Sequence, residues 1–292
     1  MVTKQIKLPK ITIKIDPRED ANLFWSFVNH PYFVQAKFSI FKAHPKLAEL
    51  SNGTDFRQRI SGYVSDFYKD NADTIEKIRK SNLRHLEERG INAFAALSKI
   101  MDYKWPEDAK YEAIFTILPF SPFRGKIFFY SILGELKSAK TIEKRLLNVA
   151  IHEISHIIFW GYLDEIKKRT GIIISEDAVY LLKELVATAI VNQQGLSEIL
   201  SVREVGNPEI RELFIKTNGN SPVLFKDYVE KQLANLLEQK LPFLNFIEEL
   251  VGSAFKIDGQ LSEKMSLWKK HGNKIFSNTE LLSKYRKSII IR

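Results

Sequence analysis

The chain of 292 residues has no cysteine and only three methionines. Disulfides and thiolate metal sites are therefore excluded. No stretch reaches the ~18 consecutive apolar residues of a membrane span, so no membrane partner is expected. The opening residues, Met1 to Lys10, lack the apolar core of a signal peptide, and a cytoplasmic location is the expectation. Internal repeats, low-complexity segments and nucleic-acid-binding motifs are also missing. The net charge is +9, from 44 Lys and Arg against 35 Asp and Glu. Those cations are scattered among acids along the whole chain, including the basic end from Lys269 to Arg292. Such a dispersed excess reads as solvated surface, and nucleic acid is disfavoured as a partner. What remains is the composition of a globular chain, long enough to bury a sizeable core.

Histidine is scarce too, with six in all, yet two of them stand four positions apart. Residues 152–156 read His152-Glu153-Ile154-Ser155-His156. On a helix, positions i and i+4 share one face, so the two imidazoles can address a single metal ion. Glu153 can face the same cleft without ligating. The surrounding run, Val149 to Ile158, has no Gly or Pro, and its only charge belongs to the motif. A helix that is apolar nearly all round is a buried helix. Burying two imidazoles and a carboxylate side by side is costly unless something compensates them, and a metal ion does so directly. The plainer alternative is a pair of core histidines bonded to neighbours, with Glu153 at a rim. For the helix ends, Ser138 or Thr141 suits the N-cap, Glu143 the first turn, and Gly161 the C-terminal stop.

The segment resembles the zincin metallopeptidases. The resemblance is carried by residues 149–158 and extends over 111–192. It implies zinc as the cofactor, His152 and His156 as ligands, and Glu153 as the general base of peptide-bond hydrolysis. Its implied partner is a peptide or protein substrate. The metzincin branch does not fit, because Phe159 and Tyr162 stand where it would have Gly and His. No further His occurs before His271, so the third ligand is expected to be a carboxylate.

The candidates are Asp164, Glu165, Glu176, Asp177 and Glu184. Glu184 is preferred. It sits in the middle of an apolar helical stretch that starts at the natural N-cap Ser175, with acids in its first turn. A mid-helix acid with apolar flanks needs a partner. The Glu184-x-x-Ala187 pairing resembles the second helix of gluzincins. The gap of 28 positions (184 − 156) is longer than in thermolysin-like enzymes. Asp164 is the runner-up, and Asp164, Glu165 or Asp177 could instead orient a ligand imidazole. Tyr180, Tyr228 and His271 are the candidate oxyanion donors, with Tyr180 one turn before Glu184.

The expected fold class is α+β and predominantly helical. It has a zincin-like core with a small sheet and a motif helix, flanked by helical segments. The expected parts are a strand plus helices over 1–104, the catalytic core over 105–195, and a helical region over 196–292. Ile11 to Ile15 alternates as a strand does, and Asp16-Pro17 breaks it. Helices are expected near 56–70, 72–89 and 91–101, with Gly90 as a break, and over 223–251. Residues 112–118 and 126–132 read as the two arms of a β-hairpin that offers an edge to an extended substrate. Phe120 and Phe123 would form an apolar lip or pack down on the core. His30 and His44, each before a proline, are expected in turns, and His85 on a solvated helix face. Two rival classes remain at this stage: a catalytically inactive zinc-binding scaffold or regulator, and a basic nucleic-acid-binding protein with an incidental motif.

Overall fold

A computed structural model describes residues 8–30, 34–51, 55–137, 145–217 and 221–291. The described residues are mostly helical, with two small sheets among them. The chain divides into two compact units, one of residues 1–91 and 105–150, the other of 92–104 and 151–292. The three expected parts are cut differently: 105–150 falls with the N-terminal residues and 151–195 with the C-terminal ones. Among the described residues no helix is long and apolar enough to cross a membrane.

In the first unit, β1 (Lys10–Lys14) leads into α1 (Pro17–Val28). Asp16 caps α1 by accepting from the Arg18 and Glu19 amides, and Pro17 opens it, where a missing N–H costs nothing. Next come α2 (Val34–Ala43), α3 (Pro45–Glu49), α4 (Phe56–Asp70) and α5 (Ala72–Ile100), the last of which passes into the second unit at Asn92. α5 runs straight through Gly90. One mid-helix glycine costs about 1 kcal/mol. The stripe of Ile75, Ile78, Ala93, Phe94 and Leu97 buried on both sides of it outweighs that cost.

The first sheet has the order β1-β2-β4-β3, with β2 (Lys110–Thr116), β3 (Phe123–Arg124) and β4 (Ile127–Ser131). β2 and β4 are parallel, with Ala113 opposite Phe128, so the expected hairpin between them does not form. The chain reverses twice between these strands. It turns once after β2, then again at Gly125-Lys126, where Arg124 pairs with Ile127 across a two-residue loop. Gly125 has φ 59°, the positive value such a tight turn wants at its first position. Two reversals return β4 to the direction of β2. Phe120 and Phe123 are both half-buried, and Phe120 meets Phe27 edge-on at 4.9 Å. His44 caps α3 from a buried position, its ring bonded to the Ile117 carbonyl at 2.7 Å and the Tyr63 hydroxyl at 2.8 Å. His85 is buried as well, contrary to the solvated expectation, and lies 3.0 Å from Arg145.

One acid ties this unit together. Asp20, on the inner face of α1, is fully enclosed. It accepts from Thr116 Oγ1 at 2.5 Å, the Ile117 amide at 2.9 Å and the Tyr68 hydroxyl at 3.0 Å. Burial pushes its pKa up to about 7 against the pull of those donors. The unfolded chain releases the same proton near ~3.9. Between these values the folded state binds more protons, so the stability contributed by Asp20 falls as pH rises and is least above 7. Asp20→Asn is therefore expected to cost about 2–3 kcal/mol more at about pH 5 than at about pH 8. Urea unfolding of both proteins at the two pH values measures this, and a pH-independent gap would contradict it.

After α6 (Leu133–Lys137) comes α7 (Leu146–Thr170), which carries the motif; its residues from Ile151 on belong to the second unit. The expected caps Ser138 and Thr141, and Glu143, lie outside the described residues. Gly161 does not stop α7. Leu163 and Ile166 continue its buried stripe, and the helix ends at Gly171, whose φ of 71° and bond to the Lys167 carbonyl form a left-handed cap. α8 (Glu176–Val191) follows, then α9 (Gln194–Leu200), α10 (Pro208–Arg211), β5 (Phe214–Thr217), β6 (Val223–Leu224), α11 (Phe225–Glu238), α12 (Phe243–His271), α13 (Thr279–Arg286) and β7 (Ile289–Ile291). The second sheet is β6-β5-β7. α8 packs on α11 and α12 and is buried almost all round, as its sequence requires.

Candidate metal centre

The centre is built from side chains of α7, α8 and the irregular segment between α9 and α10, and those side chains all belong to the second unit. α7 presents His152 and His156 one turn apart, their rings edge-on with centroids 4.6 Å apart. His156 and Glu153 are buried, and His152 keeps a partly open edge. α8 brings Glu184 against them. Its Oε2 stands 3.4 Å from His152 Nε2, and its Oε1 3.5 Å from His156 Nε2. These distances are long for hydrogen bonds of this type, which favour about 2.7–3.2 Å. They match the edge of a ligand tetrahedron, since two donor atoms about 2.05 Å from one ion lie about 3.3 Å apart. His152, Glu153 and His156 each also offer one ligand atom within 4.8 Å of the others, a group able to hold a metal ion. The donor set of two imidazoles and carboxylate oxygen is one that zinc accepts.

Environment separates the two carboxylates. Burial pushes Glu153 up to about 7, partly offset by the charge of His152. Burial acts on Glu184 in the same sense, but His156, Lys183 and His152 overcome it and hold Glu184 well below the usual carboxylate range. A permanently ionised acid suits a ligand, and one poised near neutrality suits a base. The histidines also differ. Burial drives His156 down to about 3 and leaves it a neutral donor. For His152 burial pulls downward, yet the charge of Glu204 and the bonds to Glu184 and Glu204 raise it well above its ordinary value.

Glu204 is the residue that sequence reasoning missed. His152 Nδ1 donates to Glu204 Oε2 at 2.9 Å, which turns Nε2 toward Glu184. A carboxylate behind a ligand imidazole fixes its tautomer and raises its basicity. Glu204 is itself pinned. The Asn192 amide donates to its carbonyl at 2.9 Å and accepts from its N–H at 2.7 Å. Further along the segment, Asn207 Nδ2 donates to Glu184 Oε2 at 2.8 Å. Gly206 between them has φ 80°, and a Cβ there would come within 2.6 Å of Ile210 and 3.6 Å of Thr188 Oγ1. The positive φ favours glycine here, and a larger residue would also have to push the Ile210 side chain aside. Glu204 is the single acid of residues 201–208, but its half-buried place in an irregular segment gives no sign that it meets His152.

The other expected acids are elsewhere. Asp164 and Glu165 are exposed within α7, Glu176 is exposed at the start of α8, and Asp177 pairs with Lys269 at 2.5 Å. Ser175 caps α8 as expected, accepting from the Ala178 amide at 3.2 Å. Tyr180 lies one turn before Glu184, but its hydroxyl donates to the buried carboxylate of Glu209. Lys183 donates to Glu184 Oε1, and its ammonium also lies 4.8 Å above the Tyr180 ring. Tyr228 lies on α11 and His271 ends α12. Comparison of the chain with family models, with curated proteins and with solved structures finds no match. The functional reading therefore rests on the geometry of these side chains.

Proposed function

We propose that the chain is a zinc-dependent metallopeptidase of the zincin kind. In this reading His152, His156 and Glu184 hold the ion and Glu153 is the general base. One observation carries it: the Glu184 carboxylate faces both imidazole Nε2 atoms at 3.4 and 3.5 Å. A bound zinc ion would supply Lewis acidity, polarising a carbonyl and making water easier to deprotonate near neutral pH.

The chain's own residues do the rest. Glu153, one position from the ligand His152 and buried, takes the proton of the attacking water and returns it to the leaving amine. Glu204 holds His152 in the tautomer that leaves Nε2 toward the ion, and Asn207 restrains the Glu184 carboxylate. The apolar walls of α7 and α8 exclude water and strengthen each of these interactions. The expected substrate is a peptide or protein segment.

The test is metal dependence. The purified chain is expected to bind about one zinc ion per molecule. It should hydrolyse members of a quenched-fluorescence peptide library, lose that activity to a chelator, and regain it with zinc. A folded chain that takes up no zinc at all would overturn the reading.

A further inference from the structure

Lys183 is adjacent to the proposed ligand in sequence, and its ammonium grips the same Oε1 that faces His156. Its side chain is only 12% exposed. A buried lysine of this kind is unusual unless paired, and here its carboxylate partner is one that a metal ion would also need. Both cannot keep the same oxygen fully. The ammonium already has a second partner in the same position. The Tyr180 ring lies 4.8 Å from Lys183 Nζ, and its hydroxyl is anchored on Glu209. The face of an aromatic ring holds a partly desolvated cation well.

We propose that Lys183 is a built-in competitor for the metal. It neutralises Glu184 in the metal-free chain and gives up Glu184 Oε1 when a divalent cation binds, keeping the Tyr180 ring face as its partner. The exchange is a swap of cations at Glu184 Oε1, and no covalent bond changes. The consequence is a centre whose affinity is set below that of its donor set alone, so that loading responds to the free metal concentration. This rests on the metal-site reading given above.

Two measurements test it on the full chain, with zinc as the probe. Chelator competition should show Lys183→Met binding zinc about tenfold more tightly than wild type, since a buried positive charge beside the ion has been removed. In wild type, acylation of Lys183 followed by mass spectrometry should be slow without zinc and several-fold faster with it. The labelling arm needs no substitution, so it stands even if Lys183→Met folds poorly. Equal affinity for the two proteins, or labelling of Lys183 indifferent to zinc, overturns the role of Lys183 and leaves the metal site intact. Absence of zinc binding in both proteins overturns the two together.

Discussion

Glu153→Gln is expected to keep zinc and lose hydrolysis by about 10³-fold. Glutamine has the same shape and cannot take a proton from water. The proposed ligand atoms are untouched, because in this reading it is Glu184, facing both Nε2 atoms, that completes the set. The fold should not suffer either. Glu153 is buried, and burial, partly offset by His152, pushes its pKa up to about 7, so its charge is a burden on the folded chain above that pH. An amide removes that burden. Turnover of the wild type's best library peptide, measured beside zinc content, checks both halves. Activity within about fivefold of wild type would remove Glu153 from the chemistry. Loss of zinc together with activity would make it a ligand instead.

Much of this centre was legible in the sequence because burial leaves a local signature. Two histidines and a glutamate inside Val149 to Ile158 have only Ser155 as a polar neighbour there, and its hydroxyl bonds the Ile151 carbonyl, so the compensation had to come from outside the stretch. The same argument selected Glu184, enclosed between Leu181 and Leu185 on α8. Glu204 was not legible. Its position depends on Asn192, twelve residues earlier, gripping its backbone, and on a left-handed turn at Gly206. No periodicity encodes such a contact. Glycine also misleads when taken as punctuation. Gly90 and Gly161 both sit inside long helices, where a buried stripe on either side outweighs about 1 kcal/mol. Likewise the β-branched and aromatic runs at 112–118 and 126–132 reveal strands but not their direction. A second reversal at Gly125 turned an expected antiparallel pair into a parallel one.

Glu184→Ala is expected to weaken zinc binding by at least about a hundredfold, more than is usual for losing a group behind a ligand. The loss has two parts. One donor disappears from the set, and the Lys183 ammonium stays in the site with no carboxylate opposite it. The second part acts even without metal. Breaking a buried ion pair by removing one partner costs about 3–5 kcal/mol, and the Asn207 amide loses its acceptor as well. The metal-free variant should therefore unfold at clearly lower urea than wild type. Lys183→Met in the same chain should recover part of that stability while leaving zinc binding weak, because it removes the orphaned charge without restoring a ligand. Chelator competition and urea unfolding on the single and double variants separate the two parts. Full zinc occupancy in Glu184→Ala at wild-type affinity would move the third ligand away from α8. Paired with zinc retention in Glu153→Gln, the opposite responses of two buried carboxylates flanking the same imidazoles would distinguish the ligand from the base.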